Sequence, residues 1–150
     1  MKALLPAALL LSLSTLLPTA AHAGPKAETL AACLGDNTTG KDRKDLARWI
    51  FIAMASHPEI KDLSNVTEAS RDSADQAAAQ LLMALLTERC KAQAREALQQ
   101  EGQAGMMAAF QTLGALAMAE LTSNPQVARA ISGFERHMDR ARMEAALGGK

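Results

Sequence analysis

The stretch TGKDRKDLARWIFIAMA, residues 39–55, decides the fold. Its first half is charged and its second half is apolar. Thr39 and Asp42 stand at capping-box spacing, in which the hydroxyl accepts from the backbone of Asp42 and the carboxylate reaches back. That predicts a helix beginning after Thr39 and running to about Ser56, because His57 precedes Pro58 and a residue before proline disfavours the α region. The segment Trp49-Ile50-Phe51-Ile52-Ala53-Met54-Ala55 is apolar on every side, which on a helix places it centrally in a core. A buried strand at Trp49 to Ile52 is the competing reading.

Composition favours the helix. Val and Ile together number six, the aromatics are Trp49, Phe51, Phe110 and Phe134, and there is no Tyr. Ala, Leu, Met, Gln, Glu, Arg and Lys dominate, and these lose little rotamer freedom in a helix. The chain reads as all-α, a single-domain bundle of five to six helices.

Other elements follow from stop signals and periodicity. A short first helix covers Glu28 to Leu34 and carries Cys33. Pro58 to Leu63 reads as a short helical turn, and Ser64-Asn65 ends it. A long helix starts between Thr67 and Ser73 and runs to Glu101, where Gly102 stops it. Leu82, Leu86, Cys90, Ala94 and Ala97 share one of its faces. Met106, Phe110, Leu113, Ala117 and Leu121 form a similar stripe on the next helix. Asn124 caps a last helix with Pro125 at its first position. Val127, Ile131, Phe134, Met138, Ala141 and Ala145 give that helix the cleanest periodicity in the chain.

Residues 1–23 have the form of a secretory signal peptide. Met1-Lys2 precedes an apolar run from Ala3 to Leu17, and Ala21-His22-Ala23 is a small-x-small cleavage triplet. Cleavage between Ala23 and Gly24 leaves 24–150 as one helical domain, periplasmic or secreted. Loss of Lys2 leaves 15 basic against 16 acidic residues, so no global field points to nucleic acid. No later stretch reads as a run of roughly 20 apolar residues, the length of a membrane span.

Export makes Cys33 and Cys90, the only cysteines, most simply a disulfide. Two buried free thiols are the bland alternative. Leu30-Ala31-Ala32-Cys33 also has the local form of a lipidation motif. It lies too far beyond the apolar run, and lipidation would strand Cys90, so a lipid anchor at Cys33 is not expected.

Gly35-Asp36-Asn37-Thr38-Thr39-Gly40-Lys41 has the spacing of a phosphate-binding loop, but Asp42 stands where Ser or Thr is needed and a helix precedes it. It reads as a polar loop entering a capped helix. Asn37 and Asn65 lie in glycosylation acceptor sequences, which matter only if the source glycosylates exported chains; otherwise they are turn and cap residues. His57 and His137 have no second ligand at metal spacing, and the methionines read as core filler more than as soft-metal ligands. No cofactor and no catalytic residue is expected. The basic clusters at Lys41 to Arg48 and Arg136 to Arg142 are interleaved with acids and read as salt-bridged faces.

The stretch Cys33-Leu34, Thr38-Thr39-Gly40-Lys41-Asp42-Arg43, Arg48-Trp49-Ile50-Phe51, Met54 and His57-Pro58-Glu59 resembles small exported proteins of Gram-negative bacteria. The resemblance covers residues 33–59. It implies an exported helical domain and carries over no active site.

Function is therefore an expectation by exclusion: an exported binding or interaction module, with Thr38, Thr39, Lys41, Asp42, Arg43, Arg48 and Trp49 as the candidate surface. The apolar segment from Trp49 to Ala55 suggests a homodimer or protein-partner interface. A small hydrolase or transferase using His57 or His137 is the second reading. It needs a cleft in which one histidine meets a carboxylate. A soft-metal (copper) carrier is the third.

Overall fold

The computed structural model describes residues 24–148. The signal-peptide reading falls on residues 1–23, outside the described residues. Six α-helices follow in order, and there is no strand among the described residues. They are α1 (Pro25–Asp36), α2 (Gly40–Met54), α3 (Glu68–Ala84), α4 (Lys91–Thr122), α5 (Pro125–Ile131) and α6 (Arg140–Leu147). A 3-10 turn, Lys61–Leu63, precedes α3; a π-helical turn, Leu85–Arg89, joins α3 to α4; a 3-10 stretch, Ser132–His137, joins α5 to α6.

Local chemistry sets most boundaries. Thr39 and Asp42 form the full capping box at the start of α2. Thr67 and Ser70 form a second one at α3. Asn124 accepts from the backbone of Gln126 at α5, with Pro125 beside it. Each such cap contributes about 1 kcal/mol. Gly102 (φ 63°, ψ −151°) breaks α4 into two runs, in a conformation open essentially only to glycine.

The core lies between α1, α2 and α4, with the end of α3 against it. Leu30, Leu34, Leu46, Ala47, Leu85, Cys90, Ala97, Ala109, Leu113 and Ala117 are buried together. The Cys33–Cys90 disulfide (Cα–Cα 5.9 Å) pins α1 to the start of α4 and closes a span of 57 residues. In the chain-entropy account a loop of that size contributes about 4 kcal/mol. A disulfide of this kind belongs to an oxidising, non-cytoplasmic compartment.

Four expectations need correction. First, Trp49 to Ala55 is not central in the core. Ile52 and Ala55 are buried, Trp49 and Ile50 are half-buried, and Phe51 and Met54 are exposed, because α4 and α3 cover only one side of α2. Second, the face of the long helix turns. Leu85 is fully buried while Leu82 and Leu86 are only half-buried. The π turn sets Cys90 five residues after Leu85, with Cys90 N donating to Leu85 O at 2.8 Å, and this rotates the upstream stripe by one position.

Third, the last helix is neither continuous nor packed. A 3-10 stretch interrupts it, and Ile131, Phe134, Met138, Met143 and Leu147 are exposed. Fourth, the methionines are not core filler. Met54, Met83, Met107, Met118, Met138 and Met143 are all exposed, and Met106 is the half-buried exception. One helix, Lys91–Thr122, also contains an 18-residue window of mean hydropathy 1.2, long and apolar enough by those measures to cross a membrane. Its alanine-rich buried face is what α1 and α2 pack on here.

Candidate interaction surfaces

The loop from Asn37 to Thr39 and the first turn of α2 hold most of the sequence-selected surface residues. Many of their polar groups are engaged internally. Thr38 is buried, and its hydroxyl donates to Gly35 O at 3.0 Å. Arg43 donates from Nη2 to Gly35 O (3.2 Å) and Thr38 O (3.0 Å), and from Nε to the Thr38 hydroxyl (3.3 Å). Its guanidinium thus adds donors to the Gly35 carbonyl at the end of α1 and to the Thr38 carbonyl of the loop, where a cation also suits the helix dipole. Asn37 donates to Cys33 O at 2.9 Å, as a cap residue would. Arg89, from the π turn, donates to Asn37 O at 2.9 Å and locks the loop to the helix that carries Cys90.

Asp42 accepts from Thr39 N and from the Thr39 hydroxyl, each at 2.9 Å. The backbone N–H of Thr39 is the main reason its carboxyl is held below its ordinary value of 3.8, followed by the Thr39 hydroxyl and the charges of Arg89 and Lys41, against a partial desolvation. Lys41 pairs with Asp45, whose carboxylate raises the Lys41 ammonium above 10.5. Trp49 donates from Nε1 to Asp75 at 2.8 Å. Lys41, Asp45 and Arg48 line a shallow recess of about 280 Å³ with Ser70 and Ser73 of α3.

Among the described residues, neither His57 nor His137 pairs with a carboxylate. His57 Nδ1 accepts from Glu59 N at 3.2 Å. Among the described residues, no three His, Cys, Asp or Glu side chains converge as metal ligands. The sulfur of Cys33 is bonded to Cys90.

Two apolar surfaces were hidden from periodicity. The first is a groove of about 360 Å³ at the end of α2, lined by Phe51, Ile52, Leu63 and Val66 on its apolar side and by Arg48, Ser64, Asn65 and Ser70 on its polar side. Leu63 is 84 % exposed. The second is residues 125–148, here called the arm. Its one substantial packing against the bundle is at the α4–α5 joint. The sequence signal for the arm was the stripe itself. A regular apolar face normally finds cover within its own chain, and this one does not. The arginines of the arm, Arg129, Arg136, Arg140 and Arg142, form no ion pair among the described residues. The expected salt-bridged face is therefore absent there.

The comparisons with known proteins supply no relative: no family model, no curated protein and no solved structure matches this chain.

Proposed function

We propose that this protein is an exported, disulfide-pinned binding module whose working element is the arm, and that the arm docks on the α2 groove of a second copy. One observation carries the reading. Ile131, Phe134, Met138, Met143 and Leu147 are 40–72 % exposed on a single arm that the bundle does not cover. Apolar faces of this kind mark binding surfaces in soluble proteins. Exposed methionines add to it, since the flexible thioether adapts to a partner's shape.

The second copy is favoured by its chemistry. Phe51 and Leu63 give the groove an apolar counter-surface, Met54 is exposed at the end of the same helix as Phe51, and Glu59 and Asp62 lie within the same exposed stretch of chain. The arm carries four arginines against three acids, while residues 24–124 carry ten basic and thirteen acidic side chains. The opposite surpluses favour the pairing of arm and bundle. Export to the periplasm or beyond follows from the signal-type N-terminus, and the disulfide is consistent with it.

Sedimentation equilibrium of the chain 24–150 tests this against the same chain ending at Ser123 and against Phe134→Asp. A dimer at micromolar concentration that both changes convert to monomer supports the reading. A full chain that stays monomeric at every concentration overturns it, and so does a dimer indifferent to loss of the arm.

A further inference from the structure

Helix α1 begins without a local side-chain cap, since Gly24 occupies the N-cap position. Its acceptor comes from far along the chain. Glu101 Oε1 accepts from Lys26 N at 2.8 Å and Oε2 from Ala27 N at 2.9 Å, so one carboxylate covers two orphan donors of α1. The break at Gly102 follows this residue directly, and Gly105 lies one turn further on. A Cβ at Gly105 would fall 2.6 Å from Glu101 Cβ, so a glycine is needed to seat Glu101.

Gly24 lies against the same carboxylate. A Cβ built on Gly24 would fall 2.2 Å from Oε1 and 2.8 Å from Oε2, closer than any side chain permits. Standard bond lengths then put the Gly24 nitrogen within about 5 Å of Oε1.

We propose that Glu101 is the receptor for the α-ammonium of Gly24, created when the Ala23–Gly24 bond is cut. The inference rests on the export reading for the cut itself. A leader peptidase selecting small residues, here Ala21 and Ala23, directs water onto the Ala23 carbonyl. The C–N bond breaks, the hydroxyl stays with Ala23 as a carboxylate, and Gly24 leaves as an amine that takes up a proton.

The new cation sits where an anion is already held. An opposite charge within about 4–6 Å favours the protonated amine, raising it above its ordinary 7.7–8.0. Glu101 on α4 is the charged group that lies against Gly24, and Lys26 and Glu28 stand in the first turn of α1. Lys26 Nζ is taken up by Glu96 at 2.7 Å, which leaves Glu101 for the terminus. The positive end of the α1 dipole opposes the ammonium, and the Glu101 carboxylate offsets it. The sign follows. A folded value raised above the unfolded one gives stabilisation that is full below about 7.7 and is lost as pH rises through the folded value.

Two measurements separate the cut from the receptor. The intact mass of the protein exported from a host that expresses the full chain reports where it begins. A start at Gly24 is expected, and any other start overturns the assigned cut and, with it, the export reading of the site. Independently, NMR titration of a chain starting at Gly24 reports the amine. It is expected to titrate at least half a unit above 8.0 and to return to the ordinary value in Glu101→Gln. The same chain N-acetylated, with Glu101 intact, is expected to melt lower at pH 7 and equally at pH 10. An ordinary amine value, or acetylation without effect at pH 7, overturns the receptor.

Discussion

Trp49 donates from its indole nitrogen to Asp75 at 2.8 Å, and this bond ties α2 to α3 across 26 residues. The indole is half-buried, so its N–H needs a partner, and Asp75 projects from the second turn of α3 to supply it. Asp75→Ala is expected to cost about 1–1.5 kcal/mol, the upper part of the range for a typical hydrogen bond, since the bond is exposed to solvent. Trp49, the single tryptophan, reports it: its emission should shift to the red in the folded variant. Unchanged emission and melting would show that the bond does not hold the two helices.

The Cys33–Cys90 bond should be the largest single contributor to stability after the core. Reduction, or the double change to serine, is expected to remove about 4 kcal/mol. Urea unfolding with and without reductant measures it. A midpoint that does not move would mean that α1 is held by Leu30 and Leu34 alone.

Asp42 makes the start of α2 acid-sensitive. Its carboxyl is depressed in the folded state, chiefly by the Thr39 backbone N–H. A depressed carboxylate stabilises above its ordinary value and loses that contribution as pH falls through the folded one. Asp42→Ala is therefore expected to lower stability by about 1 kcal/mol at pH 7, the worth of a cap. The difference should shrink below about pH 4, because the parent then loses its own carboxylate. Melting curves from pH 7 to pH 2 test the convergence.

Leu113 and Phe134 both belong to regular apolar stripes, and the structure separates them. Leu113 is 1 % exposed and Phe134 is 60 % exposed. Leu113→Ala is expected to cost 2–5 kcal/mol, in the range of roughly that size for buried leucines. Phe134→Ala should leave the monomer within about 0.5 kcal/mol of the parent, as surface changes do. Limited proteolysis extends the comparison: cleavage should fall within residues 125–148 while the remaining bundle keeps its melting temperature. Equal costs for the two substitutions would place the arm against the core.

The helical class, the cap at Thr39, the stop at Gly102, the start at Asn124 and the pairing of two cysteines were legible along the chain alone. Each of these is local, or follows from there being only one possible pair. Capping and turn preferences act over three or four residues, so they are readable before the chain folds. The loop around Thr38 was legible as a loop, but the use of Arg43 to close α1 was not, because it depends on where α1 ends in space.

Tertiary structure decided which stripe residues were buried. One extra residue in the π turn brings Leu85 rather than Leu86 into the core, and no periodicity count contains that insertion. Glu101 caps α1 across 74–75 residues, a contact that no window along the chain can hold. The arm has the most regular apolar spacing of any segment and the least cover. Spacing states that a face is apolar. Only packing states whether the same chain has a surface left to bury it.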